Sequence, residues 1–327
     1  MIISKTPLRI SFAGGGSDIG WFYEKFGGAV VSIAISKYIY ITLNKKFDSK
    51  IRASYSQTEI VDRVDDLKHE LIRESLKMAK IDGGIEITSI SDIPSKGTGL
   101  GSSSSYTVGL LNALYAYKNR FVSAEKLARS ACKVEIDVLD KPIGRQDQYI
   151  ASYGGLRYFE FNPDSTVSTE LIICKPETKK RLEESLLMLY TGLTRSSGLI
   201  LKNQEESVSL DEKKIQMMVQ MVEIARQMKE KLEKNNLKSF GELLHENWLL
   251  KRNLGDGITN TRIDEWYRIA RSKGAIGGKI TGAGGGGFLL LYAPKHTHSK
   301  IIRALADLKP LQFSLEPEGS KIIFVGG

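Results

Sequence analysis

Between Lys96 and Ser105 the chain reads Lys-Gly-Thr-Gly-Leu-Gly-Ser-Ser-Ser-Ser, after a strand-like stretch (Ile85–Ile90) and before an apolar, alanine-rich run (Tyr106–Lys118). Small residues feeding a helix N-terminus suit an anion. The first-turn N–H groups lack intrahelical partners, and the helix dipole adds partial positive charge. Gly97, Gly99 and Gly101 let the main chain approach a phosphate closely. Ser102, Ser103 and Ser104 offer a helix cap and hydroxyls for phosphate or a hard divalent cation. A flexible serine-glycine linker shares this composition, but not the strand on one side and the dense apolar helix on the other. Two familiar phosphate loops do not fit: Lys96 precedes the glycines, and the spacing is Gly-x-Gly-x-Gly, not Gly-x-Gly-x-x-Gly. Two more glycine clusters, Ala13-Gly14-Gly15-Gly16-Ser17-Asp18 and Thr281–Gly287, each adjoin a strand-like stretch.

Ile2–Phe12 and Ala29–Leu43 read as strands, the second from the alternation of Ile39, Ile41 and Leu43 with Tyr38, Tyr40 and Thr42. Ile60, Val64, Leu67, Leu71 and Met78 recur at helical spacing and predict a helix from about Glu59 to Lys80. Ala124–Leu139 predicts another, stopped near Pro142 and Gly144. Leu156–Phe161, Leu186–Thr191, Phe288–Ala293 and Lys321–Val325 read as strands, and Ile215–Leu232 and Ile301–Leu308 as helices. This irregular mixture favours an α+β fold over a doubly wound parallel sheet. The polar stretch Asn162–Ser168 marks a boundary, so two domains are expected, 1–165 and 166–327.

The chain carries 47 Lys+Arg against 38 Asp+Glu, a formal charge of +9. The bases are interleaved with acids, as in Lys179–Glu184 and Lys229–Lys234, which reads as solvated helix faces and not as a nucleic-acid module. Cys132 and Cys174 stand far apart and form neither a metal spacing nor a disulfide framework, which suits a reducing cytoplasm. No apolar run approaches the ~18 residues of a membrane span, and Met1–Ser11 lacks the pattern of a signal peptide. The expectation is a soluble cytoplasmic protein, monomer or homodimer, with no nucleic-acid or membrane partner.

Pro94–Ser105, with its core Gly99-Leu100-Gly101-Ser102-Ser103-Ser104, resembles the phosphate-binding signature of the GHMP kinases, the superfamily of galactokinase, homoserine kinase and mevalonate kinase. Thr6-Pro7-Leu8-Arg9-Ile10-Ser11-Phe12 resembles its N-terminal motif and Lys279–Phe288 its C-terminal glycine motif, in the expected order across nearly the whole chain. Within the superfamily, Ala13–Asp18, Gly144–Tyr149, Thr191–Leu201 and Glu316–Ser320 are most similar to bacterial D-glycero-D-manno-heptose 7-phosphate kinases. The resemblance implies a two-domain α+β GHMP kinase fold, with an N-terminal domain like ribosomal protein S5 domain 2 and a ferredoxin-like C-terminal domain. It implies ATP and Mg²⁺, and transfer of the γ-phosphoryl to the anomeric hydroxyl of a heptose 7-phosphate, on the way to GDP-heptose. Fucose, galactose or a mevalonate-type alcohol as acceptor, and a sugar sensor without turnover, stay open as alternatives. The chain departs from the pattern at Gly15-Gly16, where galactokinase-like members have Glu-His, and its interval from Glu135 to Asp147 is longer than in mevalonate kinases.

The same resemblance implies roles for individual residues. Lys96, Gly97, Thr98, Gly99, Leu100, Gly101, Ser102, Ser103 and Ser104 would cradle the phosphates of ATP. Ser103 and Glu135 would hold Mg²⁺, with Ser102 and Ser104 as alternatives to Ser103. Asp147, in a loop past Pro142-Ile143-Gly144, would be the general base or orienting carboxylate with Arg9 beside it, and Asp137 and Asp140 compete for the role. Ser17 and Asp18 would meet sugar hydroxyls; the other reading of Asp18 is a cap for a helix over Ile19–Phe26. Gly284 and Gly285 would close the site. Arg195 would meet the phosphate of the acceptor, ahead of Lys202 and Arg145.

Overall fold

The long β-branched stretches at the start of the chain become neighbouring strands, β1 (Ile2–Ala13) and β2 (Gly28–Lys45), paired antiparallel over most of their length. These and all following coordinates come from a computed structural model that describes residues 1–94, 97–194 and 196–326. The remaining strands are β3 (Ile51–Ser54), β4 (Thr58–Val61), β5 (Ile85–Ser91), β6 (Leu156–Phe161), β7 (Val167–Leu171), β8 (Leu186–Tyr190), β9 (Gly277–Ile280), β10 (Phe288–Tyr292), β11 (Lys309–Leu311) and β12 (Lys321–Val325). The first sheet runs β12-β1-β2-β5-β3-β4. At 18 residues, β2 is long enough for one of its edges to take β5 along 39–45 and β6 along 28–33. β7 then pairs with β6. The second sheet is antiparallel, in the order β11-β8-β10-β9. Counted along the chain this is fourth-first-third-second, the ferredoxin-like order that the resemblance implies.

The helix Ser102–Tyr117 is buried on almost every side, through Val108, Leu110, Leu111, Ala113 and Leu114, as a helix without a polar face must be. It packs on β1 and β2 and against the helices Glu70–Ala79, Ala124–Cys132 and Gln146–Tyr153, so its N-terminus is fixed from several directions. In the second unit, the helices Glu212–Glu233 and Leu237–Lys251 pack on each other; the first also covers β2 and the second β9.

Three expectations change. The helix expected from Glu59 divides into β4, a 3₁₀ turn at Val64–Asp66 and a helix that begins at Glu70, because Ile60 and Val61 pair with Arg52 and Ile51 instead of following the helical period. The helix from Ala124 is α-helical only to Cys132 and continues as a π-helical segment, Lys133–Val138. The polar stretch after Asn162 is the turn of the β6–β7 hairpin, so the division expected at 165/166 falls inside that turn. β12 also returns to β1, and the first sheet therefore uses both ends of the chain.

Candidate active site

The loop after β5 reaches the helix Ser102–Tyr117 through Gly101, whose φ of 74° is left-handed, and no side chain among the described residues caps the helix. The serines stand in its first turn and do not cap it, contrary to the expectation from their position. The first-turn amides are thus left for a ligand. Gly97, Thr98, Gly99, Gly101, Ser102, Ser103 and Ser104 line a cleft of about 320 Å³. Leu100 is fully buried, and its carbonyl accepts from Arg9 N–H (3.1 Å), so it anchors the loop without facing the cleft. Lys96 lies outside the described residues.

Arg9, on β1, is 5% exposed and makes a fork to Asp147: Nε to Oδ1 at 2.6 Å and Nη2 to Oδ2 at 2.7 Å. Its Nη1 donates to Gly99 O (2.6 Å). One guanidinium thereby fixes the carboxylate and the phosphate loop in a single plane, which a lysine could not do. Asp147 is in the first turn of the helix Gln146–Tyr153, not in a loop, and its side chain keeps 22% exposure on the cleft side. Asp137 and Asp140 are exposed and do not line the cleft.

Glu135, on the π-helical segment, is fully buried. Its Oε1 accepts from Ser103 Oγ (2.9 Å) and its Oε2 from Gln148 Nε2 (2.8 Å). Burial pushes its carboxyl above the usual range, against these hydrogen bonds and the charge of Lys141. Among the described residues there is no cluster of three or more His, Cys, Asp or Glu. A cation beside Ser103 would have one carboxylate and one hydroxyl from the protein. That set fits Mg²⁺, which keeps waters and draws further oxygens from substrate phosphates. Glu135→Gln should therefore raise the Mg²⁺ concentration needed for half-maximal activity by about 10–100-fold. Its Tm should be unchanged or higher, because a buried charge is removed; a Mg²⁺ titration and a melting curve check both.

The glycine turn after β1 is held from inside. Ser17 Oγ donates to Gly14 O (2.8 Å) and accepts from Ala29 N–H (3.1 Å), so it braces the turn and does not face the cleft as expected. Asp18 caps no helix. It accepts from Gly16 N–H (2.9 Å), Gln146 N–H (3.1 Å) and Gln146 Nε2 (2.9 Å), and it sits against Gly144, where a Cβ would fall 1.9 Å from Oδ2. Burial raises its carboxyl above the ordinary range, with the charge of Asp147 acting the same way and the backbone hydrogen bonds opposing.

The second unit supplies the opposite wall. Thr281 Oγ1 donates to Thr98 O (3.0 Å), and Gly282, Ala283, Gly284 and Gly286 line the cleft. Gly285 is turned inward, its N–H on Ile258 O (2.8 Å), and does not reach the cleft as expected. Arg195 lies outside the described residues. Lys202 is exposed away from the cleft, and Arg145 donates to Ser165 O (2.8 Å) over the Tyr23 ring.

Sequence reasoning assigned no role to Asn247, Lys251, Gln204, Gln146, Ser11 or Lys279. Asn247 Oδ1 accepts from Gly14 N–H (3.1 Å), and one helical turn later Lys251 Nζ donates to Gly15 O (3.0 Å) and Gln204 Oε1 (2.8 Å). The signal was present: Asn247 and Lys251 fall on the apolar stripe of Phe240, Leu243, Leu244 and Trp248, where a polar residue needs a reason. Burial brings the Lys251 ammonium down to about 8, with Asp18 opposing. Burial, helped by the charges of Lys251 and Arg9, brings Lys279 down to about 7. Both values lie below that of an unfolded lysine, so the native state sheds these protons first. Their penalty on stability is full below about pH 7 and is relieved as pH rises toward 10. Lys279→Met should raise Tm at pH 6 by about 2–4 °C per kcal/mol of desolvation recovered. It should also flatten the rise in Tm between pH 7 and 10, which a series of melts across that range would read.

Residues 66–155 match the family model for the GHMP kinases N terminal domain, and residues 228–310 that for the GHMP kinases C terminal. A D-glycero-alpha-D-manno-heptose 7-phosphate kinase of Campylobacter jejuni is 30% identical over 334 residues, covering 98% of each chain. A bifunctional fucokinase/GDP-fucose pyrophosphorylase of Arabidopsis thaliana is 25% identical over 322 residues, covering 91% of this chain and 30% of that protein. Among solved structures, a D-glycero-D-manno-heptose 1-phosphate kinase from Bacteriodes thetaiotaomicron superposes with a TM-score of 0.83 at 22% identity, covering 100% of both chains. No helix among the described residues is long and apolar enough to cross a membrane.

Proposed function

Because this chain belongs to the GHMP kinases, we propose that it transfers the γ-phosphoryl of ATP to the anomeric hydroxyl of D-glycero-D-manno-heptose 7-phosphate. The product would be a heptose 1,7-bisphosphate for GDP-heptose synthesis in the cytoplasm. The observation that carries the chemistry is the Arg9–Asp147 fork, which sets a carboxylate on the cleft wall beside the uncapped helix N-terminus. The amides of the phosphate loop and of Ser102–Ser104 hold the phosphate oxygens of ATP and offset the charge that spreads over them during transfer. Asp147 accepts the proton of the attacking hydroxyl, and the Arg9 fork fixes how that carboxylate faces the cleft. Ser103 and Glu135 would hold Mg²⁺, which would neutralise phosphate charge. The C-terminal glycine wall, docked on Thr98, excludes water from the reacting atoms.

The heptose acceptor rests on the 30% identity with the Campylobacter kinase over 98% of both chains. The likeness to the fucokinase part of the Arabidopsis protein favours a second reading, fucose as acceptor. ADP release with Mg-ATP and a panel of heptose 7-phosphate, heptose, fucose, galactose and mevalonate separates the two. Stimulation by the 7-phosphorylated heptose above all others is the expected result, and preference for fucose would replace this reading.

A further inference from the structure

Gly15 and Gly16 carry no side chains, and polar groups from distant parts of the chain converge where those side chains would be. A Cβ on Gly15 would lie 3.3 Å from Ser11 Oγ and 3.5 Å from Gln146 Nε2; one on Gly16 would lie 2.9 Å from Gln204 Nε2 and 3.0 Å from Lys251 Nζ. Ser11, Gln146 and Lys251 all line the cleft, and their residues are 4%, 9% and 3% exposed. Among the described residues, Ser11 Oγ and Gln146 Oε1 have no hydrogen-bond partner. Lys251 has three N–H donors and places two, on Gly15 O and Gln204 Oε1. Buried polar atoms left open in this way mark a place where a ligand completes the bonding.

The chemistry of the open atoms narrows the ligand. An amide oxygen accepts only, so Gln146 Oε1 calls for an O–H or N–H donor. An ammonium donates only, so Lys251 calls for an acceptor. A phosphate or carboxylate would satisfy Lys251 but would be repelled by Gln146 Oε1 and by the Asp18 carboxylate that Gln146 holds. A hydroxyl both donates and accepts. We propose that Ser11 Oγ, Gln146 Oε1 and Lys251 Nζ form a subsite for neighbouring hydroxyls on an uncharged polyol stretch of the acceptor, with Lys251 as a specificity-determining residue. The inference rests on the kinase reading above and goes further: any phosphate on the acceptor binds away from Lys251.

The test compares wild type, Lys251→Met and Ser11→Ala with heptose 7-phosphate and with the same heptose lacking phosphate. Loss of a hydrogen bond from a charged donor should raise the acceptor KM of Lys251→Met by about 10–100-fold, and loss of a neutral one should raise that of Ser11→Ala by about 2–10-fold. The KM for ATP should not move in either variant. The factor for Lys251→Met should be the same for both sugars. The titratable groups facing Lys251 are Asp18 and Lys279, and Arg9 acts on Lys279. Acceptor binding to wild type should weaken above about pH 8, and that dependence should be absent in Lys251→Met, a loss that a merely structural role would not give. An unchanged acceptor KM in both variants overturns the proposal, and so does an effect confined to the phosphorylated sugar. If Lys251→Met does not fold, Ser11→Ala decides, since its hydroxyl has no internal partner to lose. If wild type turns over no sugar, the kinase reading falls by itself. Calorimetric titration of heptose into the protein then tests the subsite alone, with equal affinity in wild type and Ser11→Ala as the overturning result.

Discussion

Asp147→Asn is expected to lower kcat by about two to four orders of magnitude, the range that positioned proton transfer contributes. The substitution keeps the shape of the side chain but puts an amide NH₂ where an oxygen now meets the Arg9 fork, so the base and its orientation are lost together. Arg9 would keep Gly99 O and one arm of the fork, to the remaining amide oxygen, and lose the other. On the proposed reading the loop binds ATP and this carboxylate does not, so the KM for ATP should stay within about twofold, the pattern of an interaction made in the transition state. Steady-state kinetics with the acceptor saturating, beside direct ATP titration, reads both numbers. Unchanged kcat would remove Asp147 from the chemistry, and neither Asp137 nor Asp140 could replace it, since both are exposed away from the cleft.

Gly99→Ala is the second large effect. Gly99 has φ of +69°, and its Cβ would lie 2.5 Å from Thr281 O and 2.8 Å from Thr281 Oγ1. The left-handed backbone costs about 1–2 kcal/mol for alanine, and forcing apart a backbone contact adds about 1–3 kcal/mol. Two backbone segments must separate, one carrying the phosphate loop and the other the C-terminal glycine wall. ATP affinity should fall at least about tenfold, with a drop in Tm of about 5–15 °C. Gly192→Ala is the matched control: φ is +70° but none of the described residues lies within 4 Å of its Cβ, so it bears the conformational cost without the collision. It should lose stability and keep ATP affinity. Equal ATP affinity in Gly99→Ala and wild type would remove the loop from nucleotide binding.

The residues that the sequence reading brought together best are those whose signal is local. The phosphate loop lies in one short segment between a strand and an apolar helix, and the Arg9 and Asp147 motifs converge because β1 and the helix Gln146–Tyr153 both border it. Asp18 lines the cleft from the loop its motif marks, but its partners, Gln146 and Gly144, lie far along the chain, where no short-range pattern announces them. Ser17 and Gly285 share segments with cleft residues and point the other way, each held inward by a hydrogen bond, to Gly14 O and to Ile258 O. Lys251 was hidden by its type: on a charged chain one more lysine reads as surface, and only the apolar stripe around it argues otherwise. The strands β3, β4 and β11 are too short for alternation to separate them from helix or loop, and tertiary pairing decided them.

β12 gives β1 its outer neighbour only after every other strand described above has been made. Ile2 pairs with Val325 and Lys5 with Lys321. At ribosomal speeds of about 5–20 residues per second, the outer edge of β1 waits about 15–65 s for its partner. During that interval a row of unmatched N–H and C=O groups beside a forming core is a template for the same strand of a neighbouring nascent chain. On a message carrying many ribosomes, yield of well-folded protein should therefore depend on how quickly translation reaches β12 and on what shields that rim meanwhile.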